Sequence, residues 1–264
     1  MKNIETKKSL GQHWLQDINY LDAICEDANI VDGDKILEIG PGTGELTDRL
    51  IMKNADVFAL EFDPVLMPIL KTRFFGKKNI EIDQGDIRSF DFRRMNQPYK
   101  IVANIPYYLT SNLIRLMCES SNPPVLAALL MQKEVAQRIC AKKGDMSMLS
   151  VVAQFYFECG LGTFVPSKAF TPPPKVDSQV LVMKYIGAKF DVDAKQFFRI
   201  VKAGFSNRRK TLLNSLSAGL QKDKSEISVV LAQANIGENL RPQELDLQDW
   251  HRLFMCLHDI ILSK

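Results

Sequence analysis

Residues 104–108 read Asn-Ile-Pro-Tyr-Tyr and close the apolar run Lys100-Ile-Val-Ala103. These residue types can hold an aromatic amine. Asn104 carries a side-chain carbonyl. Pro106 lacks an N–H and stiffens its stretch of chain, which helps present a neighbouring backbone carbonyl. Tyr107 and Tyr108 offer flat faces on which a base can stack. Two acceptors beside an aromatic face suit the exocyclic amine of adenine. Taken alone, the pentapeptide reads equally as a strand end followed by a Pro-Tyr turn.

Upstream, Ile36-Leu-Glu-Ile-Gly-Pro-Gly-Thr-Gly44 is a strand running into a glycine-rich turn. Its pattern is G-x-G-x-G, and Glu45 stands where a dinucleotide fingerprint wants a third glycine. A carboxylate opening the next helix is favoured by the helix dipole, yet it would repel a pyrophosphate in that place. The turn therefore suits a small ligand without phosphates, such as S-adenosylmethionine, with Gly40 and Gly42 allowing close backbone approach. The next strand ends Ala59-Leu-Glu61, where an acid can accept from both ribose hydroxyls. A third leads into Gln84-Gly-Asp86, where an acid can accept from the cofactor's adenine amine. Either acid alone could cap a helix or face solvent. Three successive strand ends with these residue types argue for one site, because ligands of open α/β sheets bind outside the carboxyl ends.

The elements that must position these groups alternate from about residue 17 to 185. Candidate strands are Lys35–Ile39, Asp56–Glu61, Asn79–Asp83, Lys100–Ala103, Val125–Met131, Val151–Glu158 and Ser178–Tyr185; candidate helices are Gly44–Lys53, Pro64–Phe74, Thr110–Cys118 and Gln132–Ala141. Such alternation predicts βαβ units and a mostly parallel sheet. The last two strands are joined by a proline-rich loop, Phe164–Lys175, that presents side chains rather than packing a core. Seven strands ending in a hairpin-like pair suit an α/β, Rossmann-like class I methyltransferase sheet. After Gly187 the pattern turns helical, over 193–205, 209–219, 224–234 and 246–262. The division expected is residues 1–187 for the sheet domain and 188–264 for a small all-helical domain.

Composition narrows the class. The chain has 264 residues, 46% of them apolar, enough for a substantial core. No stretch of about 18 uninterrupted apolar residues occurs and no apolar segment follows the basic start, so neither a membrane span nor a signal peptide is expected. Five scattered cysteines without a C-x-x-C pair read as reduced thiols of a cytoplasmic protein. The three histidines do not fall at metal-ligand spacing, so no metal site is expected. Net charge is only +3, so a nucleic-acid partner must be argued from where the charge lies. Lys7 and Lys8 lie near the start. Lys195, Arg199 and Lys202 share a helical face and Arg208-Arg209-Lys210 follows; such a run either meets phosphates or is a solvated face.

The chain resembles the KsgA (RsmA) family of ribosomal-RNA adenine dimethyltransferases. The resemblance runs in order through Lys8-Ser-Leu-Gly-Gln-His-Trp-Leu15, Glu38–Thr47, Gly85-Asp86, Asn104–Tyr108, Met131–Arg138, Phe170–Ser178 and Phe205–Leu212. Two departures stand out: Trp14 in place of a usual Phe, and Met146-Ser147 in place of a usual Tyr-Gly. The resemblance implies S-adenosylmethionine as cofactor, with His13, Leu15, Gly40, Gly42, Glu61, Asp86 and Asn104 lining its pocket. His13 and Leu15 would come from a segment that closes over it. It implies methyl transfer to the N6 amines of two adjacent adenines near the 3′ end of small-subunit (16S) rRNA, in an assembly intermediate. Rival readings are a large-subunit enzyme of the antibiotic-resistance type, an adenine methyltransferase of DNA, and an assembly factor whose binding outweighs its catalysis. A monomer is expected.

An adenine amine is a poor nucleophile whose lone pair is delocalised into the ring. It needs acceptors on its N–H bonds rather than a strong base. Asn104 and a backbone carbonyl at Ile105 or Pro106 fit that task, with orientation and charge placement supplying the catalysis. Tyr107 would stack on one face of the base. Phe170 is the candidate for the other face, or a packing residue of its loop.

Overall fold

The computed structural model describes residues 13–96 and 98–261, with side chains as far as residue 257. Lys7, Lys8 and the opening Lys8–Gln12 of the first motif lie outside the described residues. The chain forms two compact units. One comprises the chain up to Ala136 together with Glu158–Tyr185; the other comprises Gln137–Phe157 and the chain from Ile186 onward.

In the first unit the elements, in chain order, are β1 (Trp14–Leu15), α1 (Ile18–Asp27), β2 (Lys35–Ile39), α2 (Glu45–Met52), β3 (Asp56–Glu61), α3 (Met67–Arg73), β4 (Ile80–Gln84), β5 (Lys100–Asn104), α4 (Thr110–Glu119) and β6 (Leu126–Gln132). Helix α5 (Lys133–Ile139) and then α6 (Met148–Tyr156) follow, and β7 (Phe157–Val165), β8 (Phe170–Thr171) and β9 (Ser178–Tyr185) complete the strands. The main sheet has seven strands in the order β4-β3-β2-β5-β6-β9-β7. Strands β2 to β6 pair in parallel, and β9 runs antiparallel to β6 through seven matched positions from Leu126↔Lys184 to Gln132↔Ser178.

The central strands are apolar almost without interruption because both faces are covered. In β5 the residues Ile101, Val102 and Ala103 are fully buried, as are Ala127 to Leu129 in β6. Alternation therefore gives little signal there, yet β-branched content and flanking turns place the strands within a residue or two of their observed ends. The strand order reverses direction between β2 and β5. Both β2 and β5 open outward at their carboxyl ends, so the crevice between them lies at the topological switch point, where ligands of such sheets bind.

Besides the short strands β1 and β8, which the sequence reading does not contain, two longer elements differ from it. The candidate strand Val151–Glu158 is helix α6 up to Tyr156, and the strand begins only at Phe157. The cause is Ser147, which caps the helix: Ser147 Oγ accepts from the Ser150 N–H at 3.2 Å and Ser150 Oγ accepts from the Ser147 N–H at 2.6 Å. Val151 and Phe155, four apart, then face one core. Helix α1, which the sequence reading does not contain, starts at Asp17, whose carboxylate accepts from the Asn19 N–H at 2.9 Å.

Helices α7 (Ala194–Gly204), α8 (Leu212–Leu220), α9 (Lys224–Gln233) and α10 (Leu247–Ile261) build the second unit around Trp250, Phe197, Phe155 and Val201, all fully buried. Met146 and Val151 belong to this core too. Residues 137–157 precede the expected boundary near 187 in sequence but belong to this second unit, with Met146, Val151 and Phe155 in its core. Among the described residues, no helix is long and apolar enough to cross a membrane.

The third glycine of the turn earns its place by packing. Gly44 has φ +96°, and a Cβ there would stand 2.7 Å from the Phe74 ring. Arg73 reinforces the contact, donating to the Thr43 carbonyl at 2.5 Å and pairing with Glu45 and Asp48. Gly44→Ala is expected to destabilise the protein by about 1–3 kcal/mol. Gly33→Ala is the control, since Gly33 also has positive φ (+78°) but nothing within 4 Å of a Cβ. Thermal melting of both variants checks this: the Gly44 change should lower Tm well beyond the Gly33 change.

Candidate active site

Four neighbouring strand ends open on one pocket. Gly40 and Gly42 follow β2, Glu61 ends β3, Asp86 follows β4, and Asn104 ends β5; all of them line the pocket, with His13, Trp14, Leu15, Pro106, Tyr107, Tyr108 and Phe170 around the rim and walls. Every residue that the sequence reading assigned to the cofactor or the base is in this lining.

The glycine turn is held from two sides. Gly40 and Gly42 have φ of +66° and +64°. The Gly42 N–H donates to Glu61 Oε2 at 3.1 Å, which ties the turn after β2 to the acid that ends β3. On the outer side, the Trp14 ring lies where a Cβ of Gly42 would be. Trp14 and Leu15 form β1, which pairs antiparallel with β8 in the register Trp14↔Thr171 and Leu15↔Phe170. His13 Nδ1 meets the Pro172 carbonyl at 2.7 Å. The segment 13–15 is therefore strapped to the proline-rich loop while its indole covers the glycine turn.

Asn104 is oriented by the same segment. Its side-chain amide donates to the His13 carbonyl at 3.4 Å, a long bond that directs the amide nitrogen toward the strap and leaves Oδ1 as the acceptor of the pair. The Ile105 N–H donates to the Leu130 carbonyl at 3.2 Å, so the pentapeptide leaves the sheet only after Asn104. Tyr107 turns inward. Its hydroxyl lies 3.1 Å from Ser178 Oγ, and its ring lies near-parallel to His13, at 23° with centroids 6.3 Å apart. Burial raises the Tyr107 pKa above its ordinary value. Tyr108 points outward and is 62% exposed at the rim. Phe170 is buried against Leu15 and Val165 yet also lines the pocket, so packing and contact with a ligand coexist in this residue.

The pocket is rich in carboxylates: Glu38, Glu45, Glu61 and Asp86 all line it. Burial pushes Glu38 up to about 8, opposed by the Thr47 hydroxyl, which donates to its Oε2 at 2.6 Å. Burial also raises Glu61, while the Asp63 and Gly42 N–H groups that donate to it hold it back. Asp86 moves the other way; hydrogen bonds from the Arg88 guanidinium hold its carboxyl below the usual range. Such a lining disfavours phosphates and suits a ligand bearing positive charge, as a sulfonium with an ammonium group does. Among the described residues no three His, Cys, Asp or Glu side chains converge at metal-binding spacing.

Four contributors escaped the sequence reading. Glu38, Trp14 and Ser178 all lie inside quoted motifs, but their roles depend on partners far along the chain. Arg88 had one local signal, its position two residues after Asp86.

A glycine turn, strand-end acids and an Asn-x-Pro-Tyr at the switch point of a seven-stranded, mostly parallel sheet define an adenine methyltransferase of the class I fold. The profile described as ribosomal RNA adenine dimethylase matches residues 3–259, and the chain belongs to that family. Its cofactor is S-adenosylmethionine. Among curated proteins it is 38% identical to the ribosomal RNA small subunit methyltransferase A of Dehalococcoides mccartyi (strain ATCC BAA-2100), over 96% of this chain and 88% of that one. It is 37% identical to the protein of the same description from Clostridioides difficile, over 99% and 94%. Among solved structures it is similar to a dimethyladenosine transferase from Plasmodium falciparum, with TM-score 0.78 and 26% identity over 94% of this chain and 98% of that one. It is also similar to the 23S rRNA methyltransferase ErmE, with TM-score 0.74 and 27% identity over 92% and 99%.

Glu38 gives a pH-dependent signature. Its carboxyl ordinarily titrates at 4.5 and in the folded protein at about 8. Below 4.5 it is neutral in both states; between these values folding takes up a proton, so its contribution to stability falls as pH rises and is lost above about 8. Glu38→Gln keeps an acceptor for Thr47 without the titration. The variant is expected to gain stability relative to wild type from pH 5 to pH 8, by no more than about 1.4 kcal/mol per pH unit, and its Tm should rise relative to wild type over the same range. Melting curves across that range check it; parallel curves would show Glu38 charged throughout.

Proposed function

We propose that this protein transfers methyl groups from S-adenosylmethionine to the N6 amines of two adjacent adenines near the 3′ end of small-subunit (16S) rRNA, during ribosome assembly in the cytoplasm. The observation that carries the reading is the shared pocket: the amine-holding pentapeptide after β5 faces the same space as the glycine turn and the two strand-end acids. The small subunit is favoured over the large by the curated relatives, which carry the small-subunit name at 34–38% identity.

When bound, the cofactor supplies an electrophilic methyl group on sulfur. The chain supplies the rest. Glu61 takes the ribose hydroxyls, having two oxygens each with a lone pair beyond the backbone bonds. Gly40 and Gly42 admit the ligand close to the backbone. Leu15 and His13 cover it through the strap. Asn104 Oδ1 and the carbonyl of Ile105 or Pro106 accept the two N–H bonds of the target amine, which holds its nitrogen toward a tetrahedral shape. Tyr107 and Phe170 present the faces between which a flipped base lies.

The second unit chooses the RNA in this reading. Lys195, Arg199 and Lys202 are exposed along α7. Arg208, Arg209 and Lys210 are exposed in the turn after it, which is closed by the Lys210 N–H donating to the Asn207 carbonyl at 3.1 Å. Methyl transfer to assembled small subunits, naked large-subunit rRNA and duplex DNA tests the choice of substrate; the first alone should be methylated well.

Asn104→Ala is expected to lower the rate by about 100-fold or more with cofactor saturating, the typical loss for one positioned polar group at a catalytic centre. A near wild-type rate would remove the amine-holding role. Replacing Arg208, Arg209 and Lys210 by Ala should weaken subunit binding and flatten its salt dependence by up to about three phosphate contacts. Affinity for S-adenosylhomocysteine should not change. A variant that melts normally and binds subunits normally at every salt concentration would leave the run a solvated face.

A further inference from the structure

Asp86 is the group assigned to the adenine amine of the cofactor, yet Arg88 already uses it. The Arg88 backbone N–H donates to Oδ1 at 2.9 Å, Nε to Oδ1 at 3.0 Å and Oδ2 at 2.9 Å, and Nη2 to Oδ2 at 2.6 Å. A carboxylate has about four lone-pair sites. An incoming amine therefore competes with the guanidinium for the same oxygens. The backbone bond is separate, because it caps the short helical turn Ile87–Ser89 and need not break.

The competition is uneven. The Arg88 side chain is 55% exposed against 25% for Asp86. A surface ion pair of this kind is worth little, and its guanidinium regains water when it leaves. Arg88 is also the one lysine or arginine among the described residues lining the pocket. The exposed Tyr108 of the base-holding pentapeptide lines it as well. An RNA strand that delivers an adenine to Asn104 must bring its phosphates past this rim, and a planar guanidinium is suited to meet one.

We propose that Arg88 is an exchangeable placeholder: it neutralises Asp86 until the cofactor's adenine displaces it, and the released guanidinium then binds a phosphate of the RNA substrate at the pocket rim. Cofactor and RNA binding are thereby coupled, each raising affinity for the other by the same factor. The inference rests on the reading of Asp86 as acceptor for the cofactor's adenine.

The test uses S-adenosylhomocysteine and unmethylated small subunits, so that no turnover is needed. Calorimetry measures the affinity of wild type, Arg88→Ala and Asp86→Ala for S-adenosylhomocysteine; subunit binding is then measured with and without it. Arg88→Ala should bind S-adenosylhomocysteine about two- to fivefold more tightly, the range an exposed ion pair is worth. Asp86→Ala should bind it more weakly. S-adenosylhomocysteine should strengthen subunit binding several-fold in wild type and not in Arg88→Ala. If Asp86→Ala weakens binding but Arg88→Ala does not tighten it, or if the coupling survives in Arg88→Ala, the placeholder role is overturned while Asp86 keeps its assignment. If Asp86→Ala leaves affinity unchanged, the assignment of Asp86 itself falls and the placeholder with it.

Discussion

Four carboxylates that face one pocket repel each other and must be settled before any ligand arrives. They are settled in three ways. Glu38 is raised to about 8 by its burial one residue from the carboxyl end of β2, against the hydrogen bond from Thr47. Glu61 keeps its charge company with two backbone N–H groups, Gly42 and Asp63. Glu45 accepts from the Thr43 hydroxyl at 2.5 Å and pairs with Arg73. Asp86 pairs with Arg88 at the rim. The order follows depth: the deepest acid is neutralised by protonation, the next by fixed dipoles, the outer two by arginines. The glycine turn depends on this arrangement, since Gly42 is both a donor to Glu61 and the floor beneath Trp14.

The Gly44→Ala test bears on how much of this was legible beforehand. The pattern G-x-G-x-G announced a tight turn, but not that Phe74, thirty residues on by the chain's own numbering, would demand the third glycine. Strands β2, β3 and β9 were readable to the residue because turns and polar residues flank them. The helix at 148–156 was not, since Val151-Val-Ala-Gln-Phe-Tyr is β-rich by composition and the deciding signal is the Ser147–Ser150 cap. Local capping overrode propensity there. Gly40, Gly42, Glu61, Asp86 and Asn104 were legible because each sits at a strand end, a position the sequence defines, whereas His13 and Leu15 came only with the family resemblance and Phe170 from its proline-rich loop. Partners such as Ser178, 71 residues from Tyr107, were not, because a contact of that separation exists only once the sheet has formed.

The strap at residues 13–15 joins the two halves of the chemistry. His13 bonds the proline-rich loop through Nδ1, holds the Asn104 amide through its carbonyl, and faces the Tyr107 ring. Trp14 covers the turn that would hold the methyl donor, and Leu15 pairs with the backbone of Phe170. One short segment thus touches the cofactor side and the base side together. A displacement of the strap would release Asn104 and uncover Gly42 in the same motion. In-line transfer needs donor and acceptor aligned within a narrow range. A shared support makes their errors correlated, so that small movements shift both partners together instead of separating them. If the proposed roles hold, aligning nitrogen, methyl and sulfur rests on three consecutive residues and the strand ends they span.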